Sequence, residues 1–189
     1  MKYIRIIWTY LWGRLFAFFL YDKKYLHSKY FKSKFNNICA IGWRWTINDF
    51  KGRFILGINK RVKWPVSPRT TIGNVSNIIF DADDLHIFQV PGTYFQGMGA
   101  KILIGKGTYI APNVGLITAN HSFSDLDSHE TGKDIIIGEK SWIGMNSMIL
   151  PGVCLGEQTI VGAGSVVTKS FLQGHCVIAG NPAKVIKEI

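Results

Sequence analysis

The feature of this sequence that most restricts its possible folds is a six-residue repeat in its second half. Nine six-residue units follow residue 103, and each begins with Ile, Leu or Val. Gly or Ala occupies the second position in six of them, and Ser, Thr or Val occupies the fifth position in seven. The units begin at Ile104, Ile110, Leu116, Ile137, Ile143, Ile149, Leu155, Val161 and Val167. A short repeat held in phase over this length is typical of a solenoid, whose coils bury their apolar side chains against one another.

The repeat also predicts the shape of each coil. Six residues provide one short strand and one corner, and three such units complete a three-sided coil. We expect the aliphatic first residue and the small fifth residue to face inward, and the small second residue to lie where backbones crowd at a corner. The period is irregular over residues 38–103. We therefore predict an all-β solenoid domain over residues 38–189, with irregular early coils and a C-terminal cap over residues 170–189.

One interruption of the period points to chemistry. Leu116 and Ile137 are 21 residues apart, which is three units and three extra residues. The extra residues fall in the polar segment 122–134, which predicts an exposed loop at one corner. His121 precedes this loop, and a neutral imidazole, with a reference pKa of about 6.5, accepts protons readily near neutral pH. The alternative is a surface histidine that only forms a hydrogen bond with the loop.

From Ile104 to Ile189 the chain resembles the hexapeptide-repeat acyltransferases, and especially the sugar and polysaccharide O-acetyltransferases among them. The matching stretches are residues 104–105, 111–114, 118–121, 140–144, 151–153, 162–169 and 179–186. The resemblance implies a left-handed parallel β-helix, acetyl-CoA as co-substrate with no metal requirement, and a homotrimer whose active sites lie between adjacent subunits. It also implies that His121 is the general base for an acceptor hydroxyl.

The same resemblance implies a cofactor groove and an acceptor site. Main-chain and side-chain positions along the pantetheine arm would be Met145, Ala163, Thr168 and Lys169, and cations for the nucleotide phosphates would be Lys184 and Lys187. A solvated C-terminal tail is the alternative interpretation of the two lysines. On the acceptor side the candidates are Gln96 and the outward-facing Trp142.

The first third of the chain has a different character. Residues 1–70 contain fifteen Lys and Arg but only two Asp and Glu, a net charge of +13, whereas residues 71–189 have seven and ten, a net charge of −3. We predict a basic, aromatic helical extension over residues 1–37. Arg5 and Arg14 interrupt its apolar start, so a single membrane span is disfavoured. The basic cluster that follows consists of Lys23, Lys24, Lys29, Lys32 and Lys34.

Two interpretations of this extension remain open. Residues 1–34 either contact a membrane surface or pack onto the protein, and the arginines, about 180° apart on a helix, do not fit a simple amphipathic pattern. No helix-turn-helix, zinc-knuckle or RNP-like motif suggests nucleic acid. Three scattered cysteines favour a reducing compartment, so we expect a cytoplasmic protein, alternatively one that is peripheral at the inner face of the membrane.

These observations together predict an acetyltransferase that moves acetyl from acetyl-CoA to a hydroxyl of a capsular, exopolysaccharide or O-antigen saccharide. An N-acetyltransferase for an amino sugar or antibiotic is one alternative, and a non-catalytic β-helix scaffold is another. A γ-type carbonic anhydrase requires three histidines around zinc. The sequence offers His121, His129 and an isolated His86 without the closely spaced histidine pair of that family.

Overall fold

The computed structural model describes residues 2–33 and 37–189, so Lys34 of the basic cluster lies outside the described residues. The α-helices are α1 (Lys2–Leu20), α2 (Lys23–Leu26) and α3 (Ile41–Ile55). The strands are β1 (Thr71–Ile72), β2 (Ile78–Ile79), β3 (Tyr94–Phe95), β4 (Ile102–Ile104), β5 (Tyr109–Ile110), β6 (Gly115–Leu116), β7 (Ile135–Ile137), β8 (Trp142–Ile143), β9 (Met148–Ile149), β10 (Cys154–Leu155), β11 (Thr159–Val161), β12 (Val166–Val167), β13 (Cys176–Gly180) and β14 (Ala183–Glu188). Short 3-10 helices cover Lys29–Phe31, Asn37–Cys39, Val75–Asn77 and Ala82–Gln89.

The strands form three sheets that the chain visits in rotation. Sheet A has the strand order β1-β3-β6-β9-β12, sheet B has the order β10-β7-β4-β2, and sheet C has the order β14-β13-β11-β8-β5. All pairings are parallel except that of β13 with β14. From β4 onward the chain passes from B to C to A and back to B, so each circuit stacks on the one before it. We call this stack of three-sided circuits the coil stack.

The predicted inward positions are confirmed. The nine aliphatic residues that begin the units are all buried and form a ladder along the axis. The fifth positions are buried too wherever they hold Ser, Thr or Val, for example Thr108, Ser147 and Val153. Gly144 shows why the second position is small, because an added Cβ would lie 2.5 Å from the carbonyl oxygen of Val161 in the next coil. Apolar burial and close backbone stacking therefore account for the repeat.

The two ends of the coil stack differ from the predicted boundaries. The early coils are irregular as expected, because the 3-10 helix Ala82–Gln89 occupies the side where later coils have a strand of sheet C. At the other end, the prediction placed the start of the cap, at residue 170, too early in the chain. Phe171 still forms a parallel bridge with Leu155, and β13 still pairs in parallel with β11. Only β14 leaves the pattern, since it turns back antiparallel along β13.

Helical structure also continues beyond the predicted boundary at residue 37. Helix α3 lies within the range predicted as solenoid, and the first strand begins only at Thr71. The reason is packing between helices, because Phe16 of α1 stacks on Phe50 of α3 at a centroid distance of 3.7 Å. Gly13 brings the two helices close together, since a Cβ there would lie 3.0 Å from the Trp43 carbonyl oxygen. Among the described residues, no helix is both long and apolar enough to cross a membrane.

A buried ion pair connects α3 to the segment that leads into the coil stack. The Asp49 carboxylate accepts two hydrogen bonds from Arg53, from Nε and Nη2, each 2.8 Å long. Arg53 also donates to the carbonyl oxygens of Val62 and Trp64, at 2.6 and 3.1 Å. Tyr21, which follows α1, donates its hydroxyl to Asp49 at 2.5 Å. Both charges therefore have several partners, as buried ions require.

A second polar contact joins the helical region to the first coils. The Tyr30 hydroxyl lies 2.7 Å from Nδ1 of His86, in the 3-10 helix that replaces the early strand. Burial raises the pKa of the Tyr30 phenol and lowers the pKa of the His86 imidazole. Both groups are therefore neutral around pH 7, and a neutral hydrogen bond holds the two regions together here.

Candidate functional site

The loop that breaks the period leaves sheet A after β6 and returns to sheet B at β7, at the corner between these sheets. Its two arms pair as a short antiparallel ribbon. Lys133 N–H donates to Thr118 O at 2.8 Å, and Glu130 N–H donates to Asn120 O at 2.9 Å. Gly132 permits the ribbon to lie against the previous coil, because a Cβ there would be 2.6 Å from the Met98 carbonyl oxygen. The segment 122–134 is exposed, as predicted, but its base is fixed to the scaffold.

Gln96 supports the strand end from which His121 projects. Its Oε1 accepts hydrogen bonds from Thr118 N–H at 2.8 Å and from Ala119 N–H at 2.9 Å. Thr118 is buried and also donates its hydroxyl to Met98 O at 2.9 Å. The role visible for Gln96 is thus to hold backbone, and the acceptor contact implied for it stays a prediction.

His121 lies at the exposed surface of the ribbon, not inside the coil stack. Its Nδ1 is 2.7 Å from the carbonyl oxygen of Leu126. A carbonyl oxygen only accepts hydrogen bonds, so Nδ1 must carry the proton. In the neutral ring, Nε2 then has a free lone pair. The loop therefore fixes both the orientation of the ring and the tautomer that a general base needs.

His129 is the site residue whose placement the sequence did not predict. It pairs with His121 across the ribbon, and the two ring centroids are 4.3 Å apart with an interplanar angle of 36°. One face of the His121 ring is therefore covered by a second imidazole. The available signal was the position of the two histidines on opposite arms of one loop, which becomes informative only once the loop is known to close as a ribbon.

Two of the predicted cofactor residues share the corner of His121. Ile117 N–H donates to Ile149 O, and Leu150 N–H donates to Val167 O, so three successive coils align there. The third of these coils continues into Thr168 and Lys169, both exposed. A cavity of about 200 Å³ lies between the loop and this corner, and its lining includes Asn120, Glu130, Lys133, Pro151 and Thr168. The residue before His121 and a predicted cofactor residue thus face the same cavity.

Three of the other cofactor candidates, Met145, Ala163 and Lys184, follow the corner between sheets C and A. Met145 and Ala163 occupy equivalent places in adjacent coils, where Gly164 N–H donates to Met145 O at 2.8 Å. The next layer holds Gly180, whose N–H contacts Ser165 Oγ at 3.2 Å, and Lys184 opposite Ala179. The candidates therefore form two columns, and the two-residue strands of sheet A separate them.

Trp142 and Lys187 lie elsewhere, on the outer surface of sheet C. Trp142 pairs with Tyr109 and Ile160, and Lys187 pairs with Val177 on the strand beyond β11. In a three-sided coil, sheet C is opposite the corner between sheets A and B. Within one chain, Trp142 and His121 are therefore on opposite sides of the coil stack.

No group of three or more His, Cys, Asp or Glu side chains suited to a metal ion occurs in the described part of the chain. The carbonic anhydrase alternative requires three histidine ligands, but His86 lies in the 3-10 helix Ala82–Gln89 and its Nδ1 is bonded to Tyr30, whereas His121 and His129 lie on the loop.

Residues 134–169 match the family described as bacterial transferase hexapeptide, six repeats. This range contains strands β7 to β12, which end at the residues that begin units, Ile137, Ile143, Ile149, Leu155, Val161 and Val167. The chain therefore carries the repeat of the hexapeptide transferases, and the match rests on the same residues that build the regular coils.

Curated relatives align with the same half of the chain. A protein of Saccharomyces cerevisiae, named as a candidate acetyltransferase, is 43% identical over 94 residues, which is 48% of this chain and 47% of the relative. A similarly named protein of Dictyostelium discoideum is 53% identical over 91 residues, again 47% of each chain. The chain thus spans about half the length of these relatives.

Among solved structures, a mutant of AntD from Bacillus cereus has a TM-score of 0.51 at 22% sequence identity. The similarity covers 65% of this chain and 79% of AntD. AntD is described as an N-acyltransferase, and that structure contains dTDP-4-amino-4,6-dideoxyglucose and coenzyme A. At this identity, the likeness establishes a common fold for the coil stack.

Proposed function

We propose that this chain, which carries the hexapeptide repeat of the bacterial transferases, is an acetyltransferase that moves an acetyl group from acetyl-CoA to a saccharide hydroxyl. A capsular, exopolysaccharide or O-antigen saccharide is the acceptor class we favour. The names of the yeast and Dictyostelium relatives support acetyl transfer. The observation that carries the proposal is the His121 ring, exposed on a fixed ribbon with Nδ1 bonded to Leu126 O.

The proposed chemistry follows from that geometry. His121 Nε2 accepts the proton of the acceptor hydroxyl while the hydroxyl oxygen attacks the acetyl carbonyl carbon. The Leu126 carbonyl oxygen stabilises the imidazolium that forms, because it accepts a hydrogen bond from Nδ1–H. The bond between the acetyl carbon and sulfur then breaks, and His121 returns the proton to the departing sulfur, which leaves the ring neutral for another turnover. His129 keeps the ring from rotating, since its own ring lies against one face.

The residues present fit acetyl-CoA, which supplies the acetyl thioester. The corner between sheets C and A exposes backbone and small side chains at Ala163 and Gly164, where a narrow chain can approach. Lys184 is exposed at the end of this column and provides a cation for phosphate. Thr168, at the corner between sheets A and B, lines the cavity beside the loop that follows His121.

We further propose a homotrimer of left-handed coils, with each active site between two chains. The separation of the candidates supports this arrangement, because Trp142 and His121 are on opposite sides of one coil stack. An acceptor that contacts both residues requires the sheet C surface of a second chain next to the loop of the first. The AntD structure, which shares the fold, contains both coenzyme A and a nucleotide-linked amino sugar.

The test is release of free thiol from acetyl-CoA in the presence of saccharide acceptors, with mass analysis of the product. We expect His121→Ala to lower turnover by about 10²- to 10⁴-fold, as loss of a general base does. His27→Ala is the matched control, because His27 is an exposed histidine in the helical region. CoA affinity should be unchanged in both variants.

Other results would revise the proposal in distinct ways. Normal turnover by His121→Ala would contradict the general-base assignment. Acetylation of an amine in place of a hydroxyl would retain the chemistry and replace the acceptor class, as in the N-acetyltransferase alternative. Absence of thiol release with the wild-type chain and a broad acceptor panel would favour the non-catalytic scaffold.

A further inference from the structure

Helix α1 has two apolar faces, and only one of them is covered. Gly13 and Ala17 are buried against α3, and Phe16 stacks on Phe50 beside them. The opposite side of the helix is equally apolar but faces outward. Its exposed residues are Ile4, Ile7, Trp8, Leu11, Trp12, Leu15, Phe18 and Phe19, which we call the outer face. Phe18 and Phe19 are 71% and 72% exposed, far more than a buried helix permits.

The two arginines of α1 mark the edges of the outer face. At about 100° per residue, the outer face covers roughly 140° of the helix circumference, and Arg5 and Arg14 lie just beyond its two sides. Their separation of about 180° is therefore what a helix with two opposite apolar faces requires. The pattern that looked irregular for a one-sided helix is regular for a helix packed on one side and apolar on the other.

The outer face extends onto α3. A groove of about 330 Å³ between the two helices is lined by Trp8, Trp12, Phe16, Ile47 and Phe50 among others. Helices α1 and α3 run in the same direction, because Tyr10 contacts Trp43 and, further along both helices, Phe16 contacts Phe50. Phe54, Ile55 and Leu56 at the end of α3 are also exposed. Contiguous apolar surface of this extent usually has a partner.

Charge identifies the kind of partner. The first 70 residues contain fifteen basic residues, and one of their two acidic residues, Asp49, is buried in the pair with Arg53. Exposed cations flank the apolar surface on both helices and beyond them. They include Arg5, Arg14, Lys23, Lys24, Arg44 and Lys51. An apolar surface with Trp and Phe, surrounded by cations, complements the interface of a bilayer that contains anionic lipid.

We propose that the outer face is a docking surface for an anionic bilayer, on which α1 lies parallel to the membrane plane. The covered face supports this orientation, because Ala17 is fully buried and Gly13 lies against the Trp43 backbone. A membrane span would have to pull α1 away from these contacts. The proposal is independent of the acetyl acceptor and concerns where the protein is held.

A second copy of the chain fits this surface less well than a bilayer does. Two such surfaces brought together would place two sets of cations around one apolar contact, with a net charge of +13 on each segment. Like charges at that distance oppose association, whereas anionic headgroups neutralise them. The bilayer thus satisfies both properties of the surface, its apolar centre and its basic edge.

The experiment measures sedimentation of the full chain with phosphatidylcholine vesicles that contain or lack phosphatidylglycerol. We expect binding that requires phosphatidylglycerol and weakens with salt. Leu11→Gln with Leu15→Gln, and separately Arg5→Gln with Arg14→Gln, should each reduce partitioning by about tenfold or more. Leu172→Gln is the matched control, because Leu172 is 71% exposed but lies in the C-terminal part of the coil stack. Thermal unfolding verifies that each variant is folded.

Three outcomes would overturn the proposal. The first is absence of binding by the wild-type chain, or equal binding to both kinds of vesicle. The second is unchanged partitioning when the outer-face leucines are replaced in a folded variant. The third is a change of oligomeric state in that variant, measured by sedimentation velocity, without loss of vesicle binding, which would assign the surface to a second copy.

Discussion

The coil stack and the helical region are both stabilised by burial, but their interiors have different chemistry. The coil stack has an interior of repeated aliphatic residues in which each layer resembles the next. The helical region instead depends on aromatic contacts, such as Phe16 with Phe50, and on the buried pair Asp49 and Arg53. The periodic interior spreads its stability over equivalent layers, and its buried polar groups include small hydroxyls such as that of Thr108. An aperiodic interior concentrates its stability in a few partners that cannot be exchanged.

The surfaces of the two regions differ in a parallel way. The coil stack buries its aliphatic ladder, exposes other apolar residues such as Trp142 and Leu172, and carries the candidate site on an exposed loop. The helical region leaves its longest apolar surface outside. We infer from this contrast that the coil stack would carry out the chemistry and that the helices would hold the protein at a membrane surface.

The largest stability effect should come from the buried pair of the helical region. Asp49→Ala removes the carboxylate partner of Arg53 and leaves a buried guanidinium with carbonyl partners only. We expect a loss of about 3–5 kcal/mol in the free energy of unfolding, measured by denaturant titration. Asp22→Ala is the control, because Asp22 is exposed and its side chain makes no capping hydrogen bond, so its effect should stay within about 0.5 kcal/mol. Equal effects of the two changes would contradict the claim that the helical region depends on its buried ion pair.

The coil stack should respond to loss of one layer of its ladder. Ile149 is fully buried on β9, so Ile149→Ala is expected to cost about 2–5 kcal/mol through lost burial and a residual cavity. Ile136→Ala changes the outward-facing residue of β7, which is 41% exposed, and should cost less than about 1 kcal/mol. A cost for Ile136→Ala as large as that for Ile149→Ala would show that the interior ladder does not dominate the stability of this region.

The smallest effect concerns binding at the end of the coil stack. Lys184→Gln combined with Lys187→Gln should raise the KM for acetyl-CoA by about tenfold, because exposed cations contribute modestly to phosphate binding. Lys60→Gln is the control, since Lys60 is exposed in the segment that precedes the coil stack. An unchanged KM would favour the alternative interpretation, in which both C-terminal lysines belong to a solvated tail.

The sequence predicted the parts of the fold that follow from a repeat. Position one of the units is buried, position five is buried where it holds Ser, Thr or Val, and position two is crowded by backbone, as the period implies. The environment of each of these positions depends only on the adjacent coil, which has the same repeat. Helix α3 was not predicted, since its contacts depend on which face of α1 it meets. The spacing of Asp49 and Arg53, four residues apart, was a local signal for a helix there. The later start of the cap has a similar origin, because pairing of β13 with β11 continues without the six-residue pattern.

The candidate site was predictable to the same degree. His121 was singled out because the break in the period locates the loop, and the structure shows that it is exposed there. Its contact with Leu126 O and the ring of His129 beside it depend on how the loop closes, which a period does not encode. Gln96 shows most clearly what a period cannot encode. Its Oε1 accepts hydrogen bonds from the backbone N–H groups of Thr118 and Ala119, a contact that the sequence did not predict.

The measurement that tests the central claim most directly is the tautomer of His121. Long-range ¹H–¹⁵N correlation spectra of the histidine side chains, assigned with the variant His121→Asn, distinguish the two neutral forms of the ring. The account predicts a neutral ring with a proton on Nδ1 and a free lone pair on Nε2, because the Leu126 carbonyl oxygen accepts a hydrogen bond from Nδ1–H. A neutral ring protonated on Nε2 would have no lone pair to offer an acceptor hydroxyl at that atom, and it would contradict the assignment of His121 as the base.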